Sequence, residues 1–164
     1  MQKKIFVFVL ILLLSACSNQ NTNQIKAKIN QNFTFEPGNK IGELTLVKNQ
    51  KQETIDFSDG KFILFLLDEE CQICKMNMKQ WDTIKKKLSN KFTILYISIS
   101  KKYNFTTNSN YPFYRPKETD FMMKHKILEL PQTIVIINGR IVNNFGGYIS
   151  DKRNKYIIKK ISKY

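Results

Sequence analysis

Two cysteines, Cys71 and Cys74, stand three positions apart in the stretch LLDEECQICKMNMKQW, residues 66–81. Thiols at this spacing have three chemistries open to them: metal ligation, a structural bridge, or disulfide exchange. Zinc takes four protein ligands at a structural site, or three plus water at a catalytic one. The chain has no second cysteine pair and one histidine, His125, read here as lying on the solvated face of a short helix. Copper suits softer ligands, so Cys71 and Cys74 with His125, Met76 or Met78 remain a candidate set. A structural disulfide would persist in an oxidising compartment. It would close a loop too short to gain much chain-entropy stabilisation. Exchange fits the location best. The pair falls where an apolar strand ends and a helix begins, and the unpaired N–H groups and dipole there stabilise a thiolate. Cys71, at the helix start, is expected to be exposed. Cys74, one turn in, is expected to face inward beside Ile73 and Met76 as the resolving thiol.

The elements that must hold this pair can be read in order. Ile41–Val47 and Thr54–Phe57 are candidate strands, and Ser58-Asp59-Gly60 turns the chain. Lys61–Leu67 is continuously apolar at its core, as in a strand buried on both faces of a sheet. From Cys71 the period becomes helical, with Ile73, Met76, Trp81, Ile84 and Leu88 on the inner face and lysines between them, until Ser89-Asn90. Phe92–Ile99 is a second apolar strand, so a right-handed βαβ unit is the natural closure. Residues 101–117 hold prolines, asparagines and five aromatics and read as an irregular loop. The aromatics either meet a partner or cover the core. Glu118–Leu128 reads as a short helix with Phe121, Met122 and Ile127 inward. Gln132–Ile137 and Arg140–Phe145 flank Asn138-Gly139, a strong two-residue hairpin signal. Asp151–Lys163 reads as a last helix, with Asp151 as its cap and Ile157, Ile158 and Ile161 as its stripe.

The N-terminus carries a different message. Lys3 and Lys4 precede an apolar run, Ile5–Leu14, of ten residues. A membrane span needs about 20, so the run fits an export signal. Leu14-Ser15-Ala16-Cys17 resembles the lipobox of bacterial lipoproteins. That resemblance implies cleavage after residue 16 and a lipid, palmitate included, on Cys17. Residues 17–31 then read as lipidated cysteine and polar tether. Residues 32–164 read as one domain, with no internal repeat.

Formal net charge is +14, and loss of Lys3 and Lys4 leaves +12. Such a surface attracts anionic lipid headgroups. A nucleic-acid partner is not expected, because an exported, tethered chain seldom meets one and no reading module is present. The simplest account of the lysines is a solvated basic surface. Whether the inner or the outer membrane holds the chain is left open by Ser18.

The order strand, CxxC at a helix start, βαβ, proline before a hairpin, and final helix resembles the thioredoxin-like fold: α/β, with a central mixed sheet flanked by helices. The closer resemblance is to membrane-tethered bacterial thiol–disulfide oxidoreductases of the cytochrome-maturation and peroxiredoxin-like group. Residues 57–66 (FSDGKFILFL) match their lead-in strand, Cys71-Gln72-Ile73-Cys74 the redox motif, Leu130-Pro131-Gln132-Thr133 the cis-proline loop, and residues 137–142 (INGRIV) the hairpin. The resemblance implies that Cys71 attacks a substrate disulfide and Cys74 resolves the mixed disulfide. It implies a cis Pro131 against the site, with the Leu130 backbone helping to hold a peptide. The implied partners are protein thiols and disulfides, the membrane through the lipid, and a membrane reductase; no organic cofactor is needed. The chain departs from the family in having Glu70 where tryptophan is usual before the first cysteine, and Gln72-Ile73 between the pair. Its lead-in strand also lacks a buried acid. The negative charge of Glu69 and Glu70 disfavours a thiolate nearby and opposes the helix-end effect. This favours a reductant or specialised carrier over a strong oxidase. The rival reading is a non-enzymatic lipoprotein using the same fold to bind a partner protein or copper.

Overall fold

The computed structural model describes residues 33–100 and 111–164. The export signal, Cys17 and the tether expected from the sequence lie outside the described residues. A seven-stranded mixed sheet runs through the domain in the order β2-β1-β5-β4-β3-β6-β7. The strands are β1 (Glu43–Lys48), β2 (Lys51–Asp56), β3 (Lys61–Leu67), β4 (Thr93–Ser98), β5 (Phe113–Pro116), β6 (Gln132–Ile137) and β7 (Arg140–Gly146). The helices are α1 (Gln72–Leu88), the single-turn α2 (Phe121–Lys124) and α3 (Asp151–Ile161). Strand β3 pairs parallel with β4 and antiparallel with β6, so the strand leading to the cysteines is central.

Alternation along the central strands builds two cores, because successive side chains point to opposite faces. Ile63, Phe65, Leu67, Tyr96 and Val135 join Trp81, Ile84, Leu88, Ile157 and Ile161 under α1 and α3. Leu64, Leu66, Leu95, Ile97, Ile134 and Ile136 meet Phe33, Phe35, Phe57, Phe121 and Ile127 on the other face. Phe65 stacks on Trp81 at 4.8 Å, and the Trp81 indole N–H donates to Thr133 Oγ1 at 2.9 Å. The largest side chain of α1 is thus tied to β6 by apolar burial and by a satisfied polar edge.

Several expectations need correction. The inner line of α1 is Cys74, Asn77, Trp81, Ile84 and Leu88, spaced three, four, three and four. Ile73 and Met76 lie outside it, 44% and 51% exposed. The expected loop at 101–117 ends in β5, which pairs with β4 and β1. Pairing on both sides fixes a segment whose prolines alone suggest irregularity; residues 101–110 are outside the described set. Tyr111 and Phe113 pack on one core and Tyr114 on the other, so these three aromatics cover the core. The 118–128 helix shrinks to α2, ended by Lys126 at φ 51, though Phe121 and Ile127 do point inward. Ser150 rather than Asp151 caps α3, its hydroxyl accepting from the Arg153 N–H at 3.3 Å. The Asn138-Gly139 turn forms as expected, with φ of 46° and 72°.

Candidate redox site

Strand β3 ends at Leu67, and residues 68–70 turn the chain into α1. The turn is held locally: the Glu70 N–H donates to Asp68 Oδ1 at 2.8 Å, and the Cys71 N–H donates to Asp68 O at 3.1 Å. Cys71 is the N-cap of α1, in extended backbone geometry. Its Sγ accepts the Cys74 N–H at 3.2 Å, in the position a serine or aspartate oxygen takes at other helices. Both thiols are free; Cys71 is half-buried and Cys74 is buried. Burial, then the hydrogen bond with Cys71, pushes the Cys74 thiol up to about 12. The two sulfurs therefore differ in kind. One is accessible and receives an N–H at a positive helix end; the other is enclosed and held as a thiol.

The two glutamates have separate environments. Glu69 accepts from Ser98 Oγ at 2.6 Å and pairs with Arg115 Nη2 at 3.2 Å, while Arg115 Nη1 donates to Ser100 O at 2.9 Å. Desolvation nonetheless raises the Glu69 carboxyl above its ordinary value. Glu70 is exposed. Arg115 thus partly offsets the charge that Glu69 brings to the cysteine turn.

Pro131 is buried and follows a cis Leu130–Pro131 bond. Strand register places it: Gln132 pairs with Leu66, so Pro131 lies beside the end of β3, at the edge where the cysteine turn starts. Leu130 packs against the cluster that includes Cys71, Cys74 and Trp81. A residue the sequence reading passed over secures this edge. Asn77, 1% exposed, donates from Nδ2 to Gly147 O at 3.0 Å and accepts the Ile149 N–H at 2.9 Å. The Gly147 N–H in turn donates to Pro131 O at 2.8 Å. Gly147 has φ 76°, which an L side chain adopts at a cost. The signal for Asn77 was its register, four residues before Trp81 on the buried face.

His125 is not solvated. It is 1% exposed between Phe33 and Phe121, with ring centroids 4.2 and 4.5 Å away, and its Nδ1–H donates to Phe33 O at 2.8 Å. Its aromatic neighbours belong to the core opposite that of the cysteines, so the candidate copper set with His125 is not assembled. Met76 is exposed on α1, and Met78 packs into the cysteine-side cluster. Among the described residues, no three His, Cys, Asp or Glu side chains come together as a metal-binding group.

No family model matches the chain, and no curated protein matches it significantly. Many solved structures do. The exposed lipoprotein thioredoxin of Streptococcus pneumoniae is 15% identical, with TM-score 0.55 over 73% of this chain and 99% of that one. A Chlorobium tepidum protein described as the thiol:disulfide interchange protein DsbE is 14% identical, with TM-score 0.62 over 78% and 96%. StoA of Bacillus subtilis is 13% identical, with TM-score 0.56 over 75% and 98%. The fold is thioredoxin-like.

Proposed function

We propose that this chain is a thiol–disulfide oxidoreductase of the cell envelope, lipid-anchored through Cys17 on the extracytoplasmic side and working as a reductant of protein disulfides. The observation that carries the reading is the asymmetry of the pair. Cys71 is half-buried at the helix cap, receiving the Cys74 N–H, while Cys74 is enclosed behind it. The likeness to structures described as interchange proteins supports the same chemistry. The lipobox-like LSAC at residues 14–17 supports the anchor.

The steps balance. The Cys71 thiolate attacks one sulfur of a substrate disulfide, forming a mixed disulfide and expelling the first substrate thiolate. Cys74 then attacks Cys71 Sγ, giving its proton to the departing second thiolate. The substrate gains two electrons and two protons, and the Cys71–Cys74 pair becomes a disulfide. A membrane thiol reductase would return the two electrons. Leu130 and Pro131 are assigned to hold the peptide beside Cys71. Glu69 and Glu70 are assigned to bias the pair toward reduction of substrate.

The deciding measurement is the Cys71–Cys74 reduction potential of a chain lacking residues 1–17, in defined dithiothreitol or glutathione buffers. A value near that of thioredoxin, about −270 mV, is expected. A value near −120 mV would mark an oxidase and overturn the assigned direction. Cys71→Ser should abolish turnover; a variant that still reduced substrate would remove the enzyme reading and leave a binding lipoprotein.

A further inference from the structure

The net positive charge of the domain is carried by two helices. Residues 72–91 and 151–164, which are α1 and α3 with their C-terminal turns, hold twelve lysines and arginines against two aspartates, a surplus of ten. The remaining residues of the domain, 32–71 and 92–150, hold eleven of each sign and net to zero. The two helices pack over the same core on one face of the sheet, so the surplus forms one surface. Lys75, Lys79, Lys86, Lys155 and Lys159 are exposed on it. Among the described residues, ion pairs engage Arg115, Lys124 and His125, and no lysine of α1 or α3. An aromatic ring stands among these cations: Tyr156 is 56% exposed. Lys160 lies over the Tyr156 ring at 5.9 Å.

We propose that the α1–α3 face docks on an anionic phospholipid surface. Three features favour a bilayer over a globular acidic partner. The charge is spread along two helices instead of concentrated in a pocket. The exposed Tyr156 amid lysines suits the headgroup region, where an amphipathic ring keeps its hydroxyl wet. Lysine stems can lie along the surface while their ammonium groups meet phosphates. The docked orientation has a consequence for chemistry, because Cys71 begins α1. A domain lying on α1 and α3 would carry the cysteine pair at the height of the headgroups, where a membrane partner's cysteines are presented. The proposal is independent of the thiol reading and of the lipid.

The test uses the chain from residue 18, which keeps the whole sheet and both cores. Sedimentation with vesicles of phosphatidylcholine containing about 30% phosphatidylglycerol should retain the protein, and phosphatidylcholine alone should not. Salt near 0.5 M should release it. The variant Lys79→Glu/Lys86→Glu/Lys155→Glu should lose at least tenfold in vesicle affinity. The variant Lys40→Glu/Lys51→Glu/Lys117→Glu, with the same change in net charge on the other part of the domain, should lose less than threefold. A Lys→Gln version of the helix triple, with circular dichroism to show it folded, should fall between them. Equal losses in the two triples would overturn the proposal in favour of bulk charge. Failure of the parent chain to bind the anionic vesicles, or binding to duplex DNA or polyglutamate in preference to them, would also overturn it.

Discussion

Asn77 joins the cysteine helix to the proline loop: its side chain donates to Gly147 O at 3.0 Å, and Gly147 donates to Pro131 O at 2.8 Å. Cys71, the proposed nucleophile, caps α1, and Pro131 immediately precedes β6. The Trp81–Thr133 bond already ties α1 to β6, and Asn77 adds a second polar tie one turn nearer the cysteines. A buried amide that satisfies both a carbonyl and an N–H holds the sulfur and the peptide-holding edge at their distance by directional bonds.

Asn77→Ala should therefore cost about 1–3 kcal/mol, because a buried carbonyl and a buried N–H lose their partner. Urea denaturation would measure this. As a positioning residue, Asn77 should also show a kinetic signature: KM for a protein disulfide should rise several-fold, while alkylation of Cys71 by a small reagent keeps its rate. A variant destabilised with KM unchanged would reduce Asn77 to a packing role.

The same residue marks the limit of what the sequence made legible. Strand β3, the CxxC at a helix start, the Asn138-Gly139 hairpin and the final helix all follow from period and turn chemistry, which act locally. The inner face of α1 was half misread because hydrophobicity placed Ile73 and Met76 inward. In the structure Cys74 faces inward as expected, and Asn77 takes the next inner slot, justified by Gly147 and Ile149, 70 and 72 positions away. His125 was misplaced for a similar reason. Nothing within α2 shows that Phe33, 92 positions earlier, supplies an acceptor and a ring. Strand β5 exists because β1 and β4 flank it, a tertiary fact that Pro112 before it and Pro116 at its end obscure.

The enclosed Cys74 sulfur, held up at about 12, should make alkylation selective. At pH 7 its thiolate fraction is on the order of 10⁻⁵. Limiting iodoacetamide on the reduced protein should label Cys71 alone, as read by peptide mass spectrometry. Cys74→Ser should then trap a mixed disulfide between Cys71 and a substrate protein. Preferential labelling of Cys74 would reverse the assigned roles.

The Glu69–Arg115 pair should show its worth as a function of pH. Burial raises the Glu69 carboxyl, so the folded state holds this proton more tightly than the unfolded chain. Its contribution to stability is thus full below the unfolded value of about 4.5 and is lost as pH rises through the folded one. Arg115 opposes that loss by stabilising the carboxylate. Arg115→Met should lower the urea midpoint at pH 7, and the gap to the parent should narrow at pH 4.5, where Glu69 protonates. A gap independent of pH would assign the effect to packing of Arg115 rather than to its charge.

His125 gives the opposite slope. Desolvation lowers its pKa, outweighing the hydrogen bond to Phe33 O and the pull of Glu118, whose Oε2 is 3.8 Å from Nε2. Lys124 and Asp120 act on it with opposite signs. Below the unfolded value of about 6.5 the unfolded chain takes up a proton that the folded ring resists, so acid destabilises the fold until pH passes the folded value. The urea midpoint of the parent should fall between pH 7.5 and 5.5, and that of His125→Gln should change less. As the only histidine in the chain, His125 makes this comparison specific. The effect would be felt at the first described residues, because the carbonyl His125 holds is that of Phe33. Acid should therefore speed hydrogen exchange of the first described residues, 33–36, before that of β3 or α1. Equal slopes in the parent and His125→Gln would remove His125 as the cause.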